Sequence, residues 1–315
     1  KVLKNKDLEQ LMDTSDEWIK QRSGIEERHV IDGGMATSDL AMESALKALA
    51  AANCTAENID LIIVATLSPD YQFPGVSAVL QHKLGLESTP AMDLRCQCSG
   101  FIFSLNVAKL FIESGQYKRV LVVGAEAHSP LLDWTTRGRD VAVLFGDGSG
   151  SVVLEATDEN TGVGSIALHT QGQFADRLWV EKPGTSKGVW LTDEDREQGR
   201  MFPSMEGRYV FKHAVERLTE VVKEVLEKEG RSLDSIDHFL FHQANIRINE
   251  KVAELLQIPP HKIHSNIQKY GNCSAASIPM LLDETIREGK IARGQTILMA
   301  AFGAGFTWAS AIVDY

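Results

Sequence analysis

The stretch Ala56–Asp70 reads AENIDLIIVATLSPD, and Leu233–Arg247 reads LDSIDHFLFHQANIR. Each opens on polar residues, passes through Ile-Asp, runs apolar without alternation and closes on polar or turn residues. An unbroken apolar run with such bounds is the pattern of a strand buried on both faces, as in a parallel sheet covered by helices. The doubling continues along the chain. IESGQYKRVLVVGAEA (Ile112–Ala127) is echoed by IREGKIARGQTILMAAFGAG (Ile286–Gly305), and FGDGSGSVVLE (Phe145–Glu155) by FGAGFTWASAIVDY (Phe302–Tyr315). The order is kept and the lag is expected to stay near 177 residues, allowing small gaps. Two copies at so long a lag exclude a solenoid and predict a duplicated α/β half-domain, two sheets related by pseudo-symmetry.

The duplication places the chemistry, because sites in α/β sheets lie beyond the C-terminal ends of the strands. DLRCQCSG (Asp93–Gly100) follows the strand-like TPAMDL and precedes Gly100–Glu113, a helix-length run apolar nearly all round and therefore buried. In the second half HQAN (His242–Asn245) ends the strand DHFLF, and YGNCSAAS (Tyr270–Ser277) fills the slot that matches Cys98, before a helix expected over Ile278–Glu288. A Cys, a His and an Asn thus fall at equivalent strand ends of two facing halves, which lets them build one shared site.

The chain has 315 residues, 43% hydrophobic and 24% charged, enough for a large core and about two domains. A net charge of −11 disfavours nucleic acid and anionic membranes as partners. No apolar run reaches the length of a membrane span, and no signal peptide opens the sequence. Four cysteines (Cys54, Cys96, Cys98, Cys273) are too few for a disulfide scaffold, so a reducing cytoplasm is the expected location.

The Cys-x-Cys pair admits three readings. Zinc sites use two pairs, and no second pair follows. A redox couple prefers Cys-x-x-Cys. Buried structural thiols are the plain reading for Cys54, Cys96 and Cys273. Cys98 differs by position: the start of a long buried helix favours a thiolate, Ser99 and Gly100 leave room for a substrate, and His242 is available as a base. Asn272 reads as a turn residue after Gly271 or as a functional amide. The backbone N–H groups of FGAG (Phe302–Gly305) can form half an oxyanion hole with that of Cys98. FGDGSG (Phe145–Gly150) lacks the Lys and the helix of a phosphate loop.

With LMDTSDEWIKQRSGIEERH (Leu11–His29), CSGF, FGDGSG, HQANIRI, YGNCSAASIP and AFGAGFTW in this order, the sequence resembles β-ketoacyl-acyl carrier protein synthase III of the thiolase-like superfamily almost end to end. The resemblance implies a thiolase-like five-layer αβαβα fold of two pseudo-symmetric halves, here residues 1–158 and 159–315, in an intracellular homodimer. It implies an acyl-accepting Cys98, with His242 and Asn272 binding the thioester carbonyl during decarboxylation, and an oxyanion hole from Cys98 and Ala304. Trp18, Arg22 and Arg137 match positions that hold coenzyme A, and Gly207 and Asn245 match the pantetheine channel. Phe73, Met205 and Phe302 match the acyl pocket, Phe73 by crossing to the partner subunit. Lys212 and Arg247 match the carrier-protein entrance. The implied reaction is decarboxylative condensation of an acyl-coenzyme A primer with malonyl-acyl carrier protein, initiating fatty acid synthesis without metal or redox cofactor.

Four departures stand out. The family's usual first strand is not in this sequence, either because the numbering starts late or because the chain is shortened, and losing it entirely should destabilise the first sheet. Ala175–Pro203 is about a dozen residues longer than in housekeeping members and is expected either to pack on the dimer or acyl tunnel or to be a solvated insertion. Glu254 and Leu255 stand where further basic residues are frequent, which weakens the carrier-protein patch. His128 and Val143 replace larger apolar residues, so acyl length is not legible. These departures keep open a relative from secondary metabolism that condenses or transfers an acyl group onto a coenzyme A-bound or small-molecule acceptor, and a silent scaffolding subunit. The intact Cys-His-Asn set argues against the last.

Overall fold

The computed structural model describes residues 1–159, 161–186 and 188–315. Along the chain run β1 (Val2–Lys4), α1 (Asn5–Leu8), α2 (Asp16–Ser23), β2 (Glu27–His29), α3 (Thr37–Ala51), β3 (Leu61–Ala65), α4 (Val76–Lys83), β4 (Ala91–Leu94), α5 (Gly100–Glu113), β5 (Arg119–Glu126), α6 (Arg139–Ala142) and β6 (Gly148–Glu155). There follow β7 (Gly162–Thr170), β8 (Leu178–Trp179), α7 (Asp193–Glu197), β9 (Ser204–Met205), α8 (Gly207–Glu229), β10 (His238–Phe241), α9 (Ile246–Leu256), α10 (Ile267–Tyr270), α11 (Ser277–Arg287), β11 (Thr296–Gly303) and β12 (Thr307–Asp314).

Two main sheets form, in the orders β4-β3-β5-β6 and β10-β11-β12-β7. β3 lies parallel to both β4 and β5, and β6 closes that sheet antiparallel. β10 and β11 are parallel, and β12 is antiparallel to β11 and β7. The pseudo-symmetry holds to the residue: Leu61 pairs with Val120 and His238 with Ile297, both members displaced by 177. The expected constant lag fails for the third echo, where β6 and β12 begin 159 residues apart. The cause is the connection before them. Residues 127–147 join β5 to β6, whereas residues 304–306 join β11 to β12 in a tight hairpin.

Strand alternation explains the unbroken apolar runs. Ile62 and Val64 of β3 pack outward with α3 and α4, while Leu61 and Ile63 pack inward with Phe101, Leu105 and Ala108 of α5. The same inner cluster takes Leu240, Met299 and Ala309 from the second sheet and Ile278 and Leu281 from α11. α8 and α9 cover the far face through Leu218, Val222 and Val252. The layers are therefore α3/α4, sheet, α5/α11, sheet, α8/α9. The expected division at 158/159 lies in the link between β6 and β7, but the halves share their middle layer.

β7 lines the outer edge of β12, whereas the equivalent edge of β6 has no strand partner among the described residues and borders a groove between α3 and α11. The long 175–203 segment is mostly exposed yet internally braced. β8 and β9 pair antiparallel at its base, the Thr192 hydroxyl accepts the N–H of Asp195 at 3.1 Å, and Asp195 pairs with Arg200 at 2.7 Å. The Lys182 ammonium donates to the carbonyls of Ser186 and Val189.

Candidate active site

Cys98 sits in a single helical turn, Gln97–Ser99, that leads from β4 into α5. Gln97 takes a left-handed φ of 42°, an uncommon conformation for a residue with a side chain and one that marks functional turns. The thiol is buried, and the Ser274 hydroxyl lies 3.5 Å from Sγ. Opposite it stands Gly303, the last residue of β11, where a Cβ would come within 2.6 Å of the Cys98 Cβ and 3.0 Å of its sulfur. Only a glycine lets the 303–304 backbone approach this closely. The N–H groups of Cys98 and Ala304 both bear on the sulfur. The helix start is expected to favour a thiolate, and burial works against it. Burial pushes the Cys98 thiol up to about 11, with the Glu126 carboxylate adding to it, against the pull of Ser274 and the two N–H groups. Cys96 is half-buried rather than a core thiol, and Cys273 is buried.

His242 follows β10, its N–H anchored on the Ala300 carbonyl at 2.8 Å. Its Nδ1 meets the Ser277 hydroxyl at 2.6 Å, while Nε2 is buried without a hydrogen-bond partner. Burial lowers its pKa to about 3, so the ring is neutral. No hydrogen bond joins Cys98 to His242: the sulfur's side-chain partner is Ser274, and His242 Nε2 has no partner. Asn272 Oδ1 accepts the Ser274 N–H at 2.8 Å, which leaves the amide's donor end as its unused side. Its backbone is strung to the first half, accepting from Gly146 N–H and donating to the Leu144 carbonyl.

Cys98, His242 and Asn272 meet in one cavity of about 540 Å³ that opens between α2, α8 and α9. Trp18, Arg22, Gly207 and Asn245 line it as expected, with Met205, Phe302 and Arg247. Asn245 caps α9 through the Arg247 N–H and donates to the Arg22 carbonyl, tying two helix ends at the mouth. Arg22 and Arg139 lie over the Trp18 ring at 4.8 and 5.5 Å.

Four expected residues are not on this wall. Ala304 turns its backbone N–H toward the Cys98 sulfur, and its carbonyl accepts from the Thr307 hydroxyl. Lys212 is exposed on α8. Phe73 is 86% exposed at the surface and cannot reach its own chain's cavity. Arg137 lies outside the lining because the 175–203 segment takes it: its guanidinium donates to Asp133 and to the Glu197 carbonyl and lies 5.6 Å from the Phe202 ring.

Sequence reasoning missed Ser274 and Ser277, which orient Asn272 and His242 from within YGNCSAAS, and Arg208, which lines the mouth. His128 is also at the site. It packs on Phe145 at 4.7 Å, and burial, with His242 nearby, lowers its pKa to about 3. No group of three or more metal-ligating side chains occurs among the described residues.

Family models match two parts of the chain: 3-oxoacyl-[acyl-carrier-protein] synthase III over residues 92–172 and the C-terminal part of the same synthase over residues 226–315. A β-ketoacyl-[acyl-carrier-protein] synthase III of Xanthomonas euvesicatoria pv. vesicatoria is 45% identical over the whole chain and 94% of that protein. The crystal structure of the Aquifex aeolicus 3-oxoacyl-[acyl-carrier-protein] synthase III superposes with a TM-score of 0.91 at 41% identity, covering 100% of this chain and 96% of that one. The Thermus thermophilus synthase III structure gives 0.92 at 38% identity, covering 100% and 95%.

Proposed function

The chain belongs to the 3-oxoacyl-[acyl-carrier-protein] synthase III family, and from that premise we propose a two-stage reaction centred on Cys98. It is a condensing acyltransferase that joins an acyl-coenzyme A primer to malonyl-acyl carrier protein, the step that starts fatty acid synthesis. The observation that carries the assignment of roles is the meeting of Cys98, His242, Asn272 and the Gly303–Ala304 backbone around one sulfur-floored cavity.

In the first stage the Cys98 sulfur bonds to the thioester carbonyl carbon. The N–H groups of Cys98 and Ala304 stabilise the oxyanion, the bond to the coenzyme A sulfur breaks, and the thiol proton leaves with coenzyme A. A neutral thiol at rest fits this balance, because its proton passes to the departing coenzyme A sulfur as one C–S bond replaces the other. Trp18 with Arg22 receives the nucleotide, Gly207 and Asn245 border the pantetheine arm, and Met205 and Phe302 flank the acyl group. In the second stage the malonyl C–C bond to the carboxylate breaks, carbon dioxide leaves, and the electron pair becomes a thioester enolate. A Ser277 hydroxyl that donates to Nδ1 puts the His242 proton on Nε2, where it donates to the enolate oxygen alongside the Asn272 amide. The enolate carbon then attacks the acyl-Cys carbonyl, and the Cys98 thiolate leaves and takes one proton from water. The balance closes without a metal or redox group.

Arg247 at the mouth and Lys212 on α8 serve the carrier protein. A homodimer through the outer edge of β4 would cover the exposed Tyr71, Phe73 and Met92 and bring Phe73 to the partner's acyl pocket. No helix among the described residues is long and apolar enough to cross a membrane, and a cytoplasmic location fits free thiols and carrier-protein substrates.

The test supplies acetyl-coenzyme A with malonyl-carrier protein labelled in its free carboxylate. Label released as carbon dioxide in step with 3-oxoacyl-carrier protein is the expected result. Product that keeps the label, or simple acyl transfer, contradicts the proposal.

A further inference from the structure

Glu126, the last residue of β5, is fully buried, and no cation pairs with it among the described residues. Burying a carboxylate costs several kcal/mol unless every oxygen is satisfied. Neutral donors offset part of that cost: Thr66 Oγ1 at 3.2 Å, the Leu67 N–H at 3.1 Å and Ser68 Oγ at 2.5 Å, with the Ala275 backbone close by, and burial still raises the Glu126 pKa to about 7. The first three belong to the loop after β3. The fourth belongs to the turn of the other half that carries Ser274 and begins next to Asn272. Two residues earlier on the same face of β5, Gly124 lets that turn seat: a Cβ there would lie 2.4 Å from the Ala275 carbonyl oxygen. The seat continues to the chemistry, because the Ser274 N–H holds Asn272 Oδ1 and the Ser274 hydroxyl touches Cys98.

We infer that Glu126 is a positioning residue for the condensation stage, fastening the Asn272–Ala276 turn so that the Asn272 amide faces the bound thioester. The inference rests on the proposed role of His242 and Asn272. Glu126 touches neither the substrate cavity nor the N–H groups that serve acylation, which lie on the opposite seat. Its loss therefore bears mainly on the condensation stage, since it reaches loading only indirectly, through Ser274 and its own charge near Cys98. A side chain needed only to fill space would affect both stages through stability.

The two stages are measured apart. Loading is followed as mass gain of the intact protein with an acyl-coenzyme A, and discharge as loss of that mass on adding malonyl-carrier protein in a single turnover. Glu126→Gln keeps the size but presents an NH2 group to converging donors. It is expected to slow discharge about 10–100-fold, the scale of an ångström's misplacement, and to leave loading unchanged or faster, since a negative charge near Cys98 is gone. Ser68→Ala removes one donor to the same carboxylate without touching the turn, and is expected to show the same split at smaller size. Equal slowing of both stages, or discharge at the wild-type rate in both variants, overturns the inference. A wild-type acyl-enzyme that malonyl-carrier protein does not discharge overturns the parent reading and this one together.

Discussion

The turns Cys96–Ser99 and Cys273–Ala276 are one piece of backbone used twice. Cys96 and Cys273 take φ, ψ of −120°, 31° and −96°, 26°, the next residues take left-handed φ values of 42° and 46°, and a buried helix follows each. They pack back to back, with Gly100 placing its Cβ position 3.5 Å from Ala275. They differ in what they carry and in the strand end they face. The first carries Cys98 and faces Gly303, whose missing side chain leaves the sulfur and its N–H donors open. The second carries Ala275 and faces Glu126, whose carboxyl group lies beside the Ala275 backbone. Duplication supplied two candidate oxyanion pockets; a glycine keeps one open and a glutamate fills the other.

The sharpest way to break this comparison is to exchange the character of the seats. Gly303→Ala drives a methyl into Cys98 and should cut acyl loading at least about 100-fold, the scale of losing an oxyanion donor, with the fold retained. Gly124→Ala in the opposite seat collides with the Ala275 carbonyl and should cost about 1–3 kcal/mol of stability, read as a lower Tm, while the folded fraction still loads. Equal loading defects in the two variants would remove the distinction between the seats.

The next test separates the residues of the second turn from the thiol of the first. His242→Ala or Asn272→Ala should keep loading within a few-fold and slow decarboxylative discharge by about 100-fold or more. Single-turnover mass measurements decide it, and loss of loading in both variants contradicts the division of labour.

A smaller effect comes from pH. Burial holds His242 and His128 at about 3, and with neighbouring charges His264 at about 4, against 6.5 for a free imidazole. Between those limits the unfolded chain binds more protons than the folded one, so stability is complete above about pH 6.5 and falls as pH drops below it. The Cys98 thiol works the other way: raised from 9.0 to about 11, it removes stability as pH rises above 9. A Tm profile flat from pH 7 to pH 5 would count against the neutral, buried imidazoles. Smallest of all, Cys96→Ala should change loading by less than about threefold, within the range of substitutions off the site.

Much of the architecture was legible because burial on both faces of a strand writes an unbroken apolar run. The 177-residue offset of Leu61–Ala65 and His238–Phe241 is visible in the letters and exact in the pairing. The third offset is shorter: Phe145 and Phe302 lie 157 residues apart, because a long connection at 127–147 and a hairpin at 304–306 satisfy the same sheet order. The reactive set was legible as residue types at strand ends. Its direction of ionisation was not, because a helix start suggests a lowered thiol pKa while desolvation depends on everything packed around the sulfur. Glu126 left one clue, a lone carboxylate inside an apolar strand run, and its partner Ala275 is 149 residues away. Arg137 matches a coenzyme A position by resemblance, yet besides Asp133 it contacts Glu197 and Phe202, which come from a segment whose fold no motif announced.

The most direct test of the central claim is the mass of the intact protein after exposure to acetyl-coenzyme A. The wild type and Cys96→Ala should each gain one acetyl group, and Cys98→Ala none. An acetyl group retained by Cys98→Ala, or none on the wild type, would contradict the assignment of Cys98 as the acyl carrier.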